Sequence, residues 1–168
     1  HHAIDHLLAG GADVFIELTL GTPSELEQMV ADGELDVAIG PFSQKAPSVT
    51  YIDFTSEPHS LYCGAKHPLF AKADGDIDLR DIENSRFSVR RYRYFDDLYL
   101  VGHPRASASV VEMEGQAMML LSGHFIGFLP CHFAEPWVKE GRLRALKPSN
   151  FNFSSMHRIA YRTQNSSS

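Results

Sequence analysis

The stretch LEQMVADGELDVAIG, residues 26–40, decides how this chain is read. Leu26, Met29 and Val30 recur at helical spacing, so the segment opens as an amphipathic helix with one apolar face. Gly33 falls where a helix ends in a left-handed residue. Leu35, Val37, Ala38 and Ile39 follow as a short, mostly apolar run of strand type that stops at Gly40-Pro41. Upstream, Thr22-Pro23-Ser24-Glu25 is a helix start, with threonine as N-cap, proline at the first helical position and glutamate closing a capping box. Before it, residues 14–20 (VFIELTL) read as another strand. Strand, helix, strand in this order predicts a right-handed βαβ unit and a parallel sheet. Ligands of such sheets gather at the carboxyl ends of strands, here Leu20-Gly21-Thr22 and Gly40-Pro41-Phe42.

A chain of 168 residues with 43% apolar content can bury a core as one domain or two small lobes. Its net charge of -6 argues against holding DNA by phosphate neutralisation, which needs a basic face. Cys63 and Cys131 have neither zinc-finger nor secreted-framework spacing, so two reduced, buried thiols are expected, with a disulfide between them as the alternative. No run reaches transmembrane length and no signal peptide is visible, so no membrane partner and a cytoplasmic location are expected. Nine histidines, His103, His132 and His157 among them, show no HExxH or comparable ligand spacing. GxSxG, P-loop and dinucleotide fingerprints are also missing, so no catalytic residue, metal or cofactor is expected.

Further along, residues 43–48 form a polar loop, and residues 49–54 and 61–64 read as two separate strand pieces. A short helix is predicted over 79–82, a strand over 86–90, and a helix from Asp96-Asp97 through Val101. A strand over 109–113, a helix over 115–121 stopped by Gly123, and a buried strand over 125–129 ended by Pro130 follow. The last elements are a helix over 132–139 closing at Gly141 and a return strand over 157–161.

Several stretches carry a family resemblance. Residues 25–40 resemble the "L…L..G.LDVAIG" segment in the effector-binding domain of LysR-type transcriptional regulators. In the same order, LYCGAKHPL at 61–69 resembles that family's "hPLa" element and IDLRDI at 77–82 its "i.l.dL". GHFIGFLP at 123–130 is similar to "G.Gia.lP", and EGRLRAL at 140–146 to "..g.Lv.l". The resemblance covers nearly the whole chain. It implies an α/β, two-lobed, type 2 periplasmic-binding-protein-like fold with two crossover hinge strands. Lobe I would comprise residues 1–62 and 157–168, without the strand that opens such domains, and lobe II residues 63–156. The chain begins inside an apparent helix, with Ile4, Leu7 and Leu8 on one face, and stops where a closing helix usually follows; it is expected to be a fragment without the winged helix-turn-helix domain.

The function so implied is ligand sensing: a small effector, an organic anion, enters the cleft between lobes, and DNA is reached only through the absent N-terminal domain. Assembly as a homodimer or tetramer is implied in the same way. Two alternatives share the fold. One is an extracytoplasmic solute-binding protein of a transporter; the other is an enzyme of aromatic amino-acid or porphyrin biosynthesis, against which the lack of motifs speaks.

The candidate effector-binding residues are Thr22, Ser24, Gly40, Phe42, Arg90, Arg91, Gly123, His124 and Phe125. Thr22 and Ser24 stand at a helix N-terminus, a good carboxylate or phosphate site, although Thr22 can equally do no more than cap. Arg90 and Arg91, in the cluster RRYRYF at 90–95, can fork onto a carboxylate while a ring covers its apolar body; a solvated loop or subunit contact is the plainer reading. Gly123-His124-Phe125 forms a turn that, by resemblance, borders the effector pocket, or else a simple C-cap and surface residue. Phe42 offers the ligand an apolar wall or serves inter-lobe packing.

Overall fold

The structure is a computed structural model and describes residues 2–11, 13, 15–43 and 46–164. In chain order its elements are α1 (His2–Ala9), α2 (Pro23–Ala31), β1 (Val37–Gly40), β2 (Val49–Gly64), α3 (Leu79–Glu83) and β3 (Arg86–Arg90). Then come α4 (Tyr94–Val101), β4 (Ala108–Val110), α5 (Met113–Leu121), β5 (Phe125–Pro130), α6 (Cys131–Lys139), β6 (Leu143–Ala145) and β7 (Asn152–Arg162). The strands form one seven-stranded sheet in the order β1-β7-β2-β5-β3-β4, with β6 beside β2.

Two long strands carry the chain between two packing centres. β2 and β7 run antiparallel from Val49 opposite Arg162 to Ser60 opposite Asn152, with the register slipping between Asp53 and Thr55. At one end β7 also pairs with β1, and there Val30, Ala38, Phe42, Val49 and Ala160 form a small core under α2. At the other end β2 pairs with β5 and β6. Side chains alternate across that part of the sheet. Leu61, Cys63, Ile126 and Phe128 therefore join the core containing Phe87, Leu98 and Val101, while Tyr62 and Leu129 pack on the opposite face with Leu120, Ala134 and Leu143. Both cysteines are free thiols, Cys63 buried and Cys131 partly so.

Local signals place the helices well. Thr22 caps α2, its hydroxyl accepting from the Glu25 N–H at 3.3 Å while the Glu25 carboxylate accepts from the Thr22 N–H at 3.2 Å. Gly33, Gly123 and Gly141 adopt the positive φ of helix stops. Asp78 and Asp81 close a second capping box on α3.

The first half departs from the expected βαβ unit. Residues 15–20 form no strand, and Phe15, Leu18 and Leu20 are 93%, 72% and 76% exposed; Val14 lies outside the described residues. The ladder partner that β1 does have among the described residues is β7, and it is antiparallel. Alternation in VFIELTL is compatible with an extended segment but cannot supply a neighbour to bond with. Parallel pairing occurs instead in the second half, where β3 pairs with both β4 and β5. Other boundaries moved as well. β2 is one 16-residue strand where two pieces were expected, because its pairing with β7 continues through Pro58, and β7 starts at Asn152 rather than 157. β4 stops at Val110, and α5 begins at Met113, ahead of Gly115.

Candidate functional site

The second half builds a crevice by its connectivity. After β3 the chain passes to α4, whose Leu98 and Val101 pack on one sheet face; after the neighbouring parallel strand β5 it passes to α6, whose Ala134 packs on the other. Adjacent parallel strands whose connections leave on opposite faces open a cleft at their carboxyl ends. Arg90 ends β3, and Pro130, opposite His59 of β2, ends β5.

A cavity of about 420 Å³ lies at these ends, closed on the far side by Pro23, Ser24 and Glu27 of α2 and by Phe42. That volume suits a small ligand. Arg90, Arg93, His59, Tyr92, Met113 and His157 form its remaining principal walls.

Arg90 is 1% exposed, and its Nε and Nη2 have no hydrogen-bond partner among the described residues. Its Nη1 makes only long contacts, 3.5 Å to the Tyr92 hydroxyl and 3.9 Å to Met113 Sδ. Behind it sits Asp97, wholly buried, whose Oδ2 is 3.6 Å from Arg90 Nε and whose Oδ1 accepts a 2.8 Å hydrogen bond from Arg93 Nε. Burial pushes the Asp97 carboxyl above its ordinary range, against the pull of the two guanidiniums. Arg93 in turn lies over the Phe153 ring at 4.0 Å.

His59 also stacks on Phe153, with ring centroids 4.3 Å apart. Burial, aided by the Arg90 charge, lowers its pKa to about 4, so the ring is neutral near pH 7. Its Nδ1 is 3.1 Å from the Glu57 carbonyl oxygen. A carbonyl only accepts, so Nδ1 carries the proton and Nε2 is left as an acceptor. The Glu57 carboxylate joins His157 of β7 and, at 3.0 Å, His132 of α6. Burial alone would raise that carboxyl, but the hydrogen bond and charge of His157, together with His132, hold it below its usual value.

Gln116 of α5 fixes the strand ends. Fully buried, it accepts from Ser88 Oγ at 2.8 Å and donates to the Ser88 and Phe128 carbonyls at 3.0 and 3.1 Å, bridging β3 and β5. Only glycine fits beside it, because a Cβ on Gly127 would stand 2.5 Å from Gln116 Nε2 and 2.7 Å from the Ser88 oxygen.

Comparisons with known proteins show the family and the fold. The family described as LysR substrate binding domain matches residues 2–168. The chain belongs to that family. It is 36% identical over 154 residues to the HTH-type transcriptional activator BauR of Pseudomonas aeruginosa, covering 90% of this chain and 50% of that protein. It therefore spans about half the length of that relative. Among solved structures, it is similar in fold to LysG of Corynebacterium glutamicum with bound effector Arg, at TM-score 0.67 and 16% identity over 97% of this chain and 57% of that one. The Synechocystis CcmR regulatory domain in complex with 2-PG gives TM-score 0.76 and 16% identity over 99% and 85%. These likenesses show the type 2 periplasmic-binding-like fold, with β2 and β7 as its two crossover strands. The family is one of transcriptional regulators, and the matches described lend no support to the solute-carrier alternative.

Within this LysR substrate binding domain, the nine candidate residues separate into four groups. Ser24, Phe42 and Arg90 line the cavity. Thr22 and Gly40 line an adjoining apolar cleft of about 490 Å³ that shares Pro23, Pro41, Tyr92, Met113 and His157 with it. Arg91 is exposed and lines neither. Gly123, His124 and Phe125 are not brought to the cavity at all: Phe125 starts β5 and pairs with Arg86, at the strand ends remote from Arg90 and Pro130. Five residues of strand separate the two ends by roughly 16 Å. Gly123 packs against Lys66 instead, where a Cβ would meet Lys66 Cβ at 2.6 Å. Sequence reading missed His59, Asp97 and Gln116. The spacing of Arg93 and Asp97 by four within a helix start was the one available signal; His59 and Gln116 acquire their roles only through tertiary pairing.

Proposed function

We propose that this domain, with lobe I formed by residues 1–62 and 157–168 and lobe II by 63–156, senses a small organic anion bound at Arg90. The observation that carries the reading is the Arg90 guanidinium, buried at the carboxyl end of β3 with Nε and Nη2 making no hydrogen bond among the described residues and only a 3.6 Å ion pair to Asp97 behind it. Leaving charged donors unsatisfied in the interior costs free energy that a carboxylate at the cavity wall recovers. Ser24 and the start of α2 supply donors and helix dipole from the other lobe, so a bound anion touches both and favours one lobe arrangement over another. Such differential binding is what a sensor requires.

In the longer protein, this rearrangement acts on DNA through a helix-turn-helix domain outside this chain, in a cytoplasmic homo-oligomer. The domain performs no catalysis in this reading. BauR, similar along most of the chain, is a transcriptional activator, which supports the regulatory role.

The test is a thermal-shift screen of the domain against organic acids, repeated with Arg90→Ala and Arg91→Ala. At 100 times its Kd a ligand stabilises the folded state by about 2.7 kcal/mol, a rise of roughly 5–10 °C for a domain of this size. The shift should vanish in Arg90→Ala and persist in Arg91→Ala. An equal shift in Arg90→Ala, or none with any acid on wild type, refutes the assignment.

A further inference from the structure

The sign of the charges around the cavity narrows the ligand further. Arg90 and Arg93 both lean on the single Asp97 carboxylate behind them. Two more carboxylates, Glu27 of α2 and Asp96 at the start of α4, line the same cavity. Neither of these takes part in an ion pair among the described residues; burial, with the nearby Glu27 charge, raises the Tyr51 phenol above its ordinary range. The site thus sets two guanidiniums against three carboxylates, arranged with the positive groups on the β3–α4 side and Glu27 on the α2 side. A bare anion would satisfy Arg90 while adding repulsion from Glu27 and Asp96, and a dianion would add twice as much. The neutral His59 ring contributes a hydrogen-bond acceptor at Nε2, which likewise suits a donor on the ligand.

We infer that the effector is a zwitterion, a compact amino acid whose carboxylate sits on Arg90 and whose ammonium group meets Glu27 across the cavity, with His59 and Asp96 alongside. This rests on the anion-sensing reading above and specifies the chemical class it selects. The cavity of about 420 Å³ restricts the ligand to small molecules. Glu27, half-buried at the cavity wall, is then the residue that discriminates an amino acid from the corresponding plain acid, because an ammonium enclosed without a partner is disfavoured and one facing a carboxylate is satisfied.

Isothermal titration calorimetry with matched probes tests this on the 168-residue chain. The probes are butyrate, 4-aminobutyrate, 2-aminobutyrate and butylamine, with the same four compound types at three, five and six carbons. In wild type at least one amino acid should bind about tenfold or more tighter than its parent acid, the difference one charge-assisted hydrogen bond supplies. Glu27→Gln should reduce that preference to threefold or less without weakening the parent acid, an outcome a merely structural glutamate would not produce. Arg90→Ala should abolish binding of both. Plain acids binding as tightly as their amino counterparts, and losing that binding in Arg90→Ala, would overturn the zwitterion while leaving the anion site intact. Amino-acid preference unchanged in Glu27→Gln would also overturn it. Absence of binding by every probe, with the chain folded by circular dichroism, would overturn both.

Discussion

Acidification from pH 7.5 to 5 should destabilise this domain by about 2 kcal/mol through His59 alone. The imidazole titrates near 4 in the folded chain because burial and the Arg90 charge disfavour its cation, whereas in the unfolded chain it titrates at about 6.5. A group with a lowered folded pKa binds more protons when unfolded, so its contribution is fully present above pH ~6.5 and is lost as the pH falls from there toward 4. Between 6.5 and 5 lies about 1.5 pH units at ~1.36 kcal/mol each, equivalent to a melting-temperature drop of roughly 4–8 °C. His59→Phe keeps a ring stacked on Phe153 and removes the titrating nitrogens. Denaturation of both proteins at pH 5 and 7.5 isolates the effect, since burial also lowers the His67 pKa and that contribution is common to both. Glu57 belongs to a different window: its folded pKa is depressed, so its share persists down to its unfolded value near 4.5 and is lost below it. The reasoning fails if wild type and His59→Phe lose the same stability over the interval.

Gly127→Ala should cost about 1–3 kcal/mol by overpacking, because its new methyl meets the Gln116 amide and the Ser88 carbonyl; urea unfolding should show a lower midpoint. Thr22→Ala removes the α2 cap and should cost about 1 kcal/mol, measurable as faster amide exchange in the first turn of that helix.

The parts of the molecule legible in the sequence are those set by near neighbours. The capping box of Thr22 and Glu25, the stops at Gly33, Gly123 and Gly141, and the buried strand at β5 each depend on a few consecutive residues. Strand partnership does not. Residues 15–20 have strand-like alternation but no ladder, while β2 runs unbroken through a proline because β7 lies beside it. The site follows the same division. Arg90 stood out as an arginine at the end of a strand, and the turn at Gly123 stood out equally; only the direction of β5 relative to β3 tells which strand end faces the cleft. His59 gave no local signal, because its surroundings come from Phe153 and Arg90, distant in the chain.

The register slip between Asp53 and Thr55 sits within the paired strands β2 and β7, the ribbon that runs from one core to the other. A narrow ribbon of two strands yields to torsion more easily than a wide sheet, since strand pairs tolerate a broad range of twist. The slip is the point along it where cross-strand bonding is already irregular, and hence its softest segment in torsion. A twist of one end against the other would be taken up there, as rotation about the ribbon's long axis in the manner of a torsion bar. Stiffening that short segment should slow the rotation without touching any ligand contact.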